Sequence, residues 1–395
     1  MKFLTTGESH GKGLTVVLED VPAGIHVDCD FINADLRRRQ GGYGRGRRQQ
    51  IETDQIEILS GVRFSKTTGA PVTFWIENKD YTNWQEIMDP VAEPSELSEK
   101  KGFYRPRPGH ADLAGYYKYG HDDLRDILER SSARETAARV AAGAFAKLFL
   151  KPLGVEIFSH MLSLGGIFVA EEDLPEHYSD IATRTESNDL CCAGPDHILE
   201  AMRQRVDEAN EAGVTLGGRI EVVATQVPRG LGSYSQWNRR LDGQLAQAIM
   251  SIQAVKSVSI GLGELGERVT GDLFHDEITL EKQQICRPTN RAGGLEGGVT
   301  NGEPLIIQAV MKPISTMRTP LRSINLRTME AEKAHFERSD VTAVPACGVI
   351  CEAMTALILA QVVQEKYGGD SMDEVLSHFR ASELLLTQRL DISSK

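Results

Sequence analysis

Four short segments of the sequence gather the side chains that could do chemistry. Residues 37–48, Arg-Arg-Arg-Gln-Gly-Gly-Tyr-Gly-Arg-Gly-Arg-Arg, hold six arginines within twelve positions. The planar guanidinium fork suits phosphate and carboxylate, and interleaved glycines let backbone approach a ligand closely. Residues 129–136, Glu-Arg-Ser-Ser-Ala-Arg-Glu-Thr, place two hydroxyls and two arginines where a helix is expected to begin, a natural position for an anion. Residues 105–112, Arg-Pro-Arg-Pro-Gly-His-Ala-Asp, deliver two arginines and His110 on a proline-stiffened loop. His10 sits in a second turn, Gly7-Glu-Ser-His-Gly11. Histidine is the usual group for proton transfer near neutral pH. A glycine-rich run at 291–302 could bring backbone amides to a phosphate or a planar ring. Each segment alone also fits a solvated loop, an ordinary helix cap or a mobile turn.

These segments need elements to position them. Runs rich in β-branched and other strand-favouring residues predict strands at 14–18, 56–59 and 71–76, and further strands from 155, at 219–227 and at 304–311. A helix N-capped by Asp30 should end at Gly41-Gly42, and Ser132-Ala-Arg-Glu135 reads as a capping box opening a helix to about Leu150. Helices are also expected at 196–212, 240–254, 344–366 and 373–388. Residues 78–108 read as a long ordered loop with several aromatics, and residues 168–192 as an acidic surface insertion. Strands and helices mix without a regular βαβ rhythm, which favours an α+β fold over a doubly wound sheet. The run Gly261-Leu-Gly-Glu-Leu-Gly266 matches a dinucleotide-binding pattern, but Val269, Thr270 and Gly271 interrupt the helix that such a site needs.

Composition narrows the function classes. In 395 residues, 44 Lys and Arg face 56 Asp and Glu, for a formal net charge of −12. That balance disfavours general nucleic-acid binding, and only Tyr43 lies inside the arginine tract as a stacking platform. The N-terminus has no apolar run after its lysine, so an export signal is not expected. The most apolar stretches are broken by Arg139, Lys147 and Glu352, and none is expected to reach the length needed to span a bilayer. Six cysteines form no C-x-x-C pair and match no metal-site spacing, so they are expected to be reduced thiols, with Cys347 and Cys351 facing the core. The residues alone point to an enzyme whose small ligand is multiply anionic.

The motifs GESHG at 7–11, GGYGRG at 41–46, RPGHAD at 107–112, ERSSARET at 129–136, AGGLEGG at 292–298 and ERSDVTAVP at 337–345 together resemble the chorismate synthase family. The resemblance runs in order over nearly the whole chain. It implies one domain over residues 1–395 and a β-α-β sandwich of antiparallel sheets with helices between and around them. It also implies a cytoplasmic homotetramer. The implied activity is the anti-1,4-elimination of phosphate and a C6 proton from 5-enolpyruvylshikimate 3-phosphate, giving chorismate. This is a carbon-oxygen lyase reaction that needs reduced FMN but has no net redox change. NADPH would enter only indirectly, for flavin reduction, and an external flavin reductase is the expected partner. No membrane, nucleic acid or metal is implied.

By motif, His10 resembles the group that protonates the leaving phosphate, His110 the partner of the flavin near N1, and Asp340 the base-side residue near N5. Arg39, Arg45, Arg107 and Arg134 resemble substrate clamps, and Arg39 and Arg45 also match the family's nicotinamide positions. Arg130, Ser131, Ser132, Gln253, Ala254, Gly297, Lys312, Pro313, Ile314, Ser315, Thr316 and Arg338 match the flavin contacts. Two positions depart from the pattern. Ile314 stands where many members have a hydroxyl, and Ser339 where many have histidine.

Overall fold

The computed structural model describes residues 1–46, 53–282, 284–337 and 340–390. Two antiparallel sheets face each other across a layer of helices. The first contains β1 (Lys2–Thr6), β2 (Gly13–Glu19), β3 (Ile56–Ser60) and β4 (Val72–Glu77) in the order β1-β2-β4-β3. The second contains β5 (Glu156–Leu164), β6 (Ile167–Phe168), β7 (Gly218–Thr225), β8 (Val255–Ile260) and β9 (Leu305–Met311) in the order β8-β9-β7-β5-β6. Short hairpins lie outside these sheets. The α+β class and the sandwich expected from the sequence both hold.

Period-two patterning sets the inward faces. Leu14, Val16 and Leu18 stand opposite Ile76, Phe74 and Val72 in the β2–β4 register, and all six are buried. In the second sheet Leu305, Ile307 and Ala309 face Ala224, Val222 and Ile220 in the same way.

The helices of seven or more residues are α1 (Cys29–Gln40), α2 (Asp112–Tyr119), α3 (Arg125–Ser131), α4 (Thr136–Leu150), α5 (Tyr178–Glu186), α6 (Asp196–Ala212), α7 (Leu241–Met250), α8 (Val344–Tyr367) and α9 (Met372–Leu390). Helices α4 and α8 fill the layer between the sheets, α4 against β2 and β4, α8 against β5 and β7. They touch closely at Gly143, where an added Cβ would lie 2.3 Å from the Ala353 Cα. By length and composition α8 could cross a membrane, contrary to the reading that no stretch reaches that length. Its apolar surface is instead spent inside the sandwich, with Cys347 and Cys351 buried as expected.

Two of the charged residues that interrupt the apolar helices, Lys147 and Glu352, meet in the core. Glu352 of α8 accepts from Lys147 of α4 at 2.7 Å, from Arg38 of α1 at 2.7 and 2.9 Å and from Ser159 of β5 at 2.6 Å. Asp35 of α1 completes the set, 2.7 Å from Lys147 and 2.8 Å from Arg38. A buried charge is tolerated only with such pairing.

Three local expectations need correction. Asp28, not Asp30, caps α1, its carboxylate accepting from the Phe31 amide. Ser132 caps only a 3-10 turn, Ala133–Glu135, that leads into α4. Glu135 is drawn away by Thr5, Arg139 and Gln253, so the reciprocal half of the capping box is missing. Residues 129–131 moreover end α3 rather than open a helix. Within 168–192, α5 buries Ile181, and Leu190 is fully buried beyond it.

Candidate active site

The loop after α1 carries Arg45, while the turn between α3 and α4 carries Arg134 and receives Arg39. Gly44 allows the first loop its path. Its φ is +83°, and a Cβ there would meet Val206 at 2.9 Å and Thr342 at 3.0 Å. Arg39 donates to Thr136 Oγ1 at 2.9 Å and to the Ala133 carbonyl at 3.0 Å. Arg134 grips Asp54 at 2.6 and 2.7 Å and donates to Asn78 Oδ1 at 2.9 Å. Arg39 also reaches Asp54, at 3.5 Å. Arg45 pairs with Asp340 at 2.8 Å, and among the described residues its buried Nε has no hydrogen-bond partner. Burial pushes Arg39 down to about 10, opposed by Asp54 and reinforced by the neighbouring Arg134 and Arg45 charges. Arg45 is lowered too, chiefly by burial against the pull of Asp340. Three mutually repelling guanidiniums thus share two carboxylates in a largely dry region, which favours a further anion.

Asn78 ties this cluster to the His10 turn by donating to the carbonyls of Glu8 at 3.0 Å and Gly11 at 2.8 Å. His10 is buried. Its Nδ1 lies 2.8 and 3.0 Å from the Glu129 carboxylate, and its ring stacks on Trp84 with centroids 4.0 Å apart. Ser132 Oγ donates to Ser9 Oγ at 3.1 Å.

The third group is centred on Asp112, which is fully buried. It accepts from the Arg107 amide and Nε at 2.9 and 2.8 Å and from Arg107 Nη2 at 3.0 Å, and it lies 2.5 Å from His110 Nδ1. Burial alone would raise its carboxyl, but the bonds from His110 and Arg107 hold it well below the usual range. Arg107 also reaches Thr316 Oγ1 at 3.2 Å. So Arg107 is already committed to a carboxylate.

Most of the residues matched to flavin contacts form one connected set. Arg130 donates to the Thr5 carbonyl and hydroxyl and to the Gly7 carbonyl. Thr5 donates to Glu135, which also accepts from Gln253 at 3.2 Å. Ala254 adopts a φ of +69°, and its carbonyl accepts from the Lys312 amide at 2.9 Å. Lys312 Nζ reaches the Gly109 carbonyl at 2.8 Å and Ser315 Oγ at 3.0 Å. Ser131 Oγ turns back to the Leu128 carbonyl, and the Ile314 side chain packs on the core while its carbonyl accepts from Thr215. Pro313 joins Lys312 to Ile314. The donors fit a phosphate and a polar ring. Among the described residues the buried Gln253 Oε1 has no hydrogen-bond partner, which is a group such a ring could satisfy. Gly297 sits at the turn of a separate hairpin, 295–300, beside Tyr234. Arg338 and Ser339 lie outside the described residues, as do Arg47 and Arg48. Among the described residues no His, Cys, Asp and Glu cluster could hold a metal ion.

Sequence reasoning assigned no role to Asp54, Asn78, Trp84, Asp112 or Glu129. Asp112 and Glu129 lay inside quoted motifs, so a signal existed. Asp54 carried none beyond its charge.

Fold and relatives together define an enzyme, a lyase, in which buried guanidiniums gather on one side of the helix layer. The chorismate synthase family model matches residues 1–364, and the chain belongs to that family. It is 47% identical over 383 residues to the chorismate synthase of Streptococcus uberis, covering 96% of this chain and 98% of the relative. The enzymes of Carboxydothermus hydrogenoformans and Aquifex aeolicus are each 50% identical, over 380 and 386 residues and 96% of this chain, with 97% and 96% of the relatives covered. A crystal structure of chorismate synthase superposes with a TM-score of 0.77 at 41% identity, covering 96% of each chain.

Proposed function

We propose that the chain, acting as one unit over residues 1–395, converts 5-enolpyruvylshikimate 3-phosphate to chorismate by anti-1,4-elimination of phosphate and the C6 proton. The observation that carries this reading is the meeting of Arg39, Arg45 and Arg134, tied through Asn78 to the turn that holds buried His10. The substrate brings two carboxylates and a phosphate, a charge load that such a pocket suits.

His10 gives a proton from its imidazolium to the departing phosphate oxygen. Asp340 takes up the C6 proton at the other end of the reaction. Arg39, Arg45, Arg107 and Arg134 hold the substrate's anions, and their largely buried setting keeps water away and strengthens each contact. Arg130, Ser131, Ser132, Gln253, Ala254, Gly297, Lys312 to Thr316 and Arg338 would hold reduced FMN, with His110 beside it. When bound, that cofactor would lend electron density to the breaking allylic C–O bond and recover it as the C–H bond breaks, without net oxidation, while the C6 proton passes to Asp340. NADPH enters only through an external flavin reductase. The working form is a homotetramer in the cytoplasm.

The test is product analysis. With reduced FMN and the substrate, free of oxygen, chorismate and inorganic phosphate should form in equal amounts. Phosphate release without chorismate would contradict the reading.

A further inference from the structure

We propose that Glu129 is the positioning residue of His10, setting which of its two ring nitrogens carries the transferable proton. This rests on the reading that His10 protonates the leaving phosphate.

Glu129 lies near the end of α3, 119 positions from His10, yet it holds that histidine twice. Its Oε2 accepts from the His10 amide at 2.7 Å, and both carboxylate oxygens lie within 3.0 Å of Nδ1. The Glu129 carbonyl also accepts from the Ser9 amide at 3.0 Å. Side-chain exposure is 1% for Glu129 and 5% for His10. An ionised carboxylate only accepts, so Nδ1 must carry hydrogen in either charge state of the ring. Nε2 is then the nitrogen that gives its proton up. On transfer the imidazolium loses the Nε2 proton to the phosphate oxygen and becomes neutral imidazole, still Nδ1–H. The Glu129 carboxylate keeps its charge throughout.

The surroundings keep Glu129 in that role. Arg125, one turn earlier on α3, donates to Glu129 Oε1 at 3.2 Å, and its guanidinium lies 5.0 Å from the centre of the Trp84 ring. Trp84 stacks on His10 and is anchored by donating from Nε1 to Asp80 at 3.1 Å. The imidazole is therefore fixed in plane by stacking and in rotation by Glu129. A buried base oriented by a buried carboxylate is a recurring arrangement for controlled proton transfer.

Three measurements decide the matter. Nitrogen-15 NMR of histidine-labelled parent protein, assigned by loss of the signal in His10→Ala, should show neutral His10 as the Nδ1–H tautomer, and the Nε2–H form would overturn the proposal. This reading needs no variant of Glu129 to fold. In Glu129→Gln, kcat should fall about ten- to a thousandfold while KM for the shikimate-derived phosphate stays within about threefold. Glu129→Asp, which keeps the charge, should recover part of the rate. In a His10→Ala background, Glu129→Gln should cause no further loss, because the carboxylate acts through the ring. An unchanged Glu129→Gln rate, or a double variant whose losses multiply, would overturn the positioning role while leaving His10 in the mechanism. A parental rate in His10→Ala would instead remove the reading on which the proposal stands.

Discussion

Arg45 Nη1 lies 2.8 Å from Asp340 Oδ2, and the Gly46 amide donates to the other oxygen of the same carboxylate at 2.6 Å. A residue proposed to clamp the substrate is therefore bonded to the one proposed to receive its C6 proton. On that proposal substrate anions would compete with Asp340 for Arg45, linking binding and the release of the base in one contact.

That linkage separates two variants. Arg45→Ala should weaken binding of the shikimate-derived phosphate by about 2–5 kcal/mol, measured by titration calorimetry. Asp340→Asn should slow turnover with no loss of substrate affinity, because Arg45 loses its competitor, and FMN binding should stay largely intact. Affinity that is insensitive to Arg45 would leave it as a structural partner of Asp340 alone.

His10→Ala should lower kcat on the order of 10²–10⁴-fold with a modest change in substrate affinity, by steady-state assay of chorismate. A parental rate would take His10 out of the proton transfer.

Asp54 is the shared counter-charge of Arg39 and Arg134. Asp54→Ala leaves both guanidiniums buried beside each other, and we expect a stability loss of about 3–5 kcal/mol in urea unfolding. Saturating substrate should restore part of it by supplying the missing negative charge. A loss that substrate leaves untouched would mean that these arginines do not face the anion.

Stability should fall in acid for a specific reason. Burial alone would raise the Glu352 carboxyl, but Lys147 and Arg38 overcome it and hold it at about 2. Burial opposes Glu337 likewise, and a bond to His335 with the Arg125 and Arg107 charges holds it at about 2. Both are depressed below the ordinary 4.5, so their contribution is full above that value and is lost as pH falls towards 2. Glu352→Gln should flatten the decline in unfolding free energy between about pH 4.5 and 2. An unaltered slope would contradict the assignment.

Much of this architecture was legible in the residues. Alternation at Leu14, Val16 and Leu18 and the long apolar run from Val344 are local patterns that carry their own burial. The clustered arginines and framed histidines were legible too, since an acidic chain concentrates cations only at some cost. Pairing across the chain was not. Asp54 meets Arg134 over 80 positions with no local sign, and Glu129, though inside a quoted motif, carries no sign that its partner is His10, 119 positions away. Glu352 and Lys147 read as breaks in apolar segments, whereas the fold makes them each other's partners. The half-formed cap at Ser132 shows tertiary contacts overriding a local motif, with Glu135 taken by Thr5, Arg139 and Gln253.

The central claim is that the chain eliminates rather than oxidises or reduces. The most direct measurement is the number of chorismate molecules formed per flavin oxidised, with limiting reduced FMN, excess substrate and no oxygen. The account predicts many turnovers for each flavin, with the cofactor still reduced at the end. A ratio near one would contradict it.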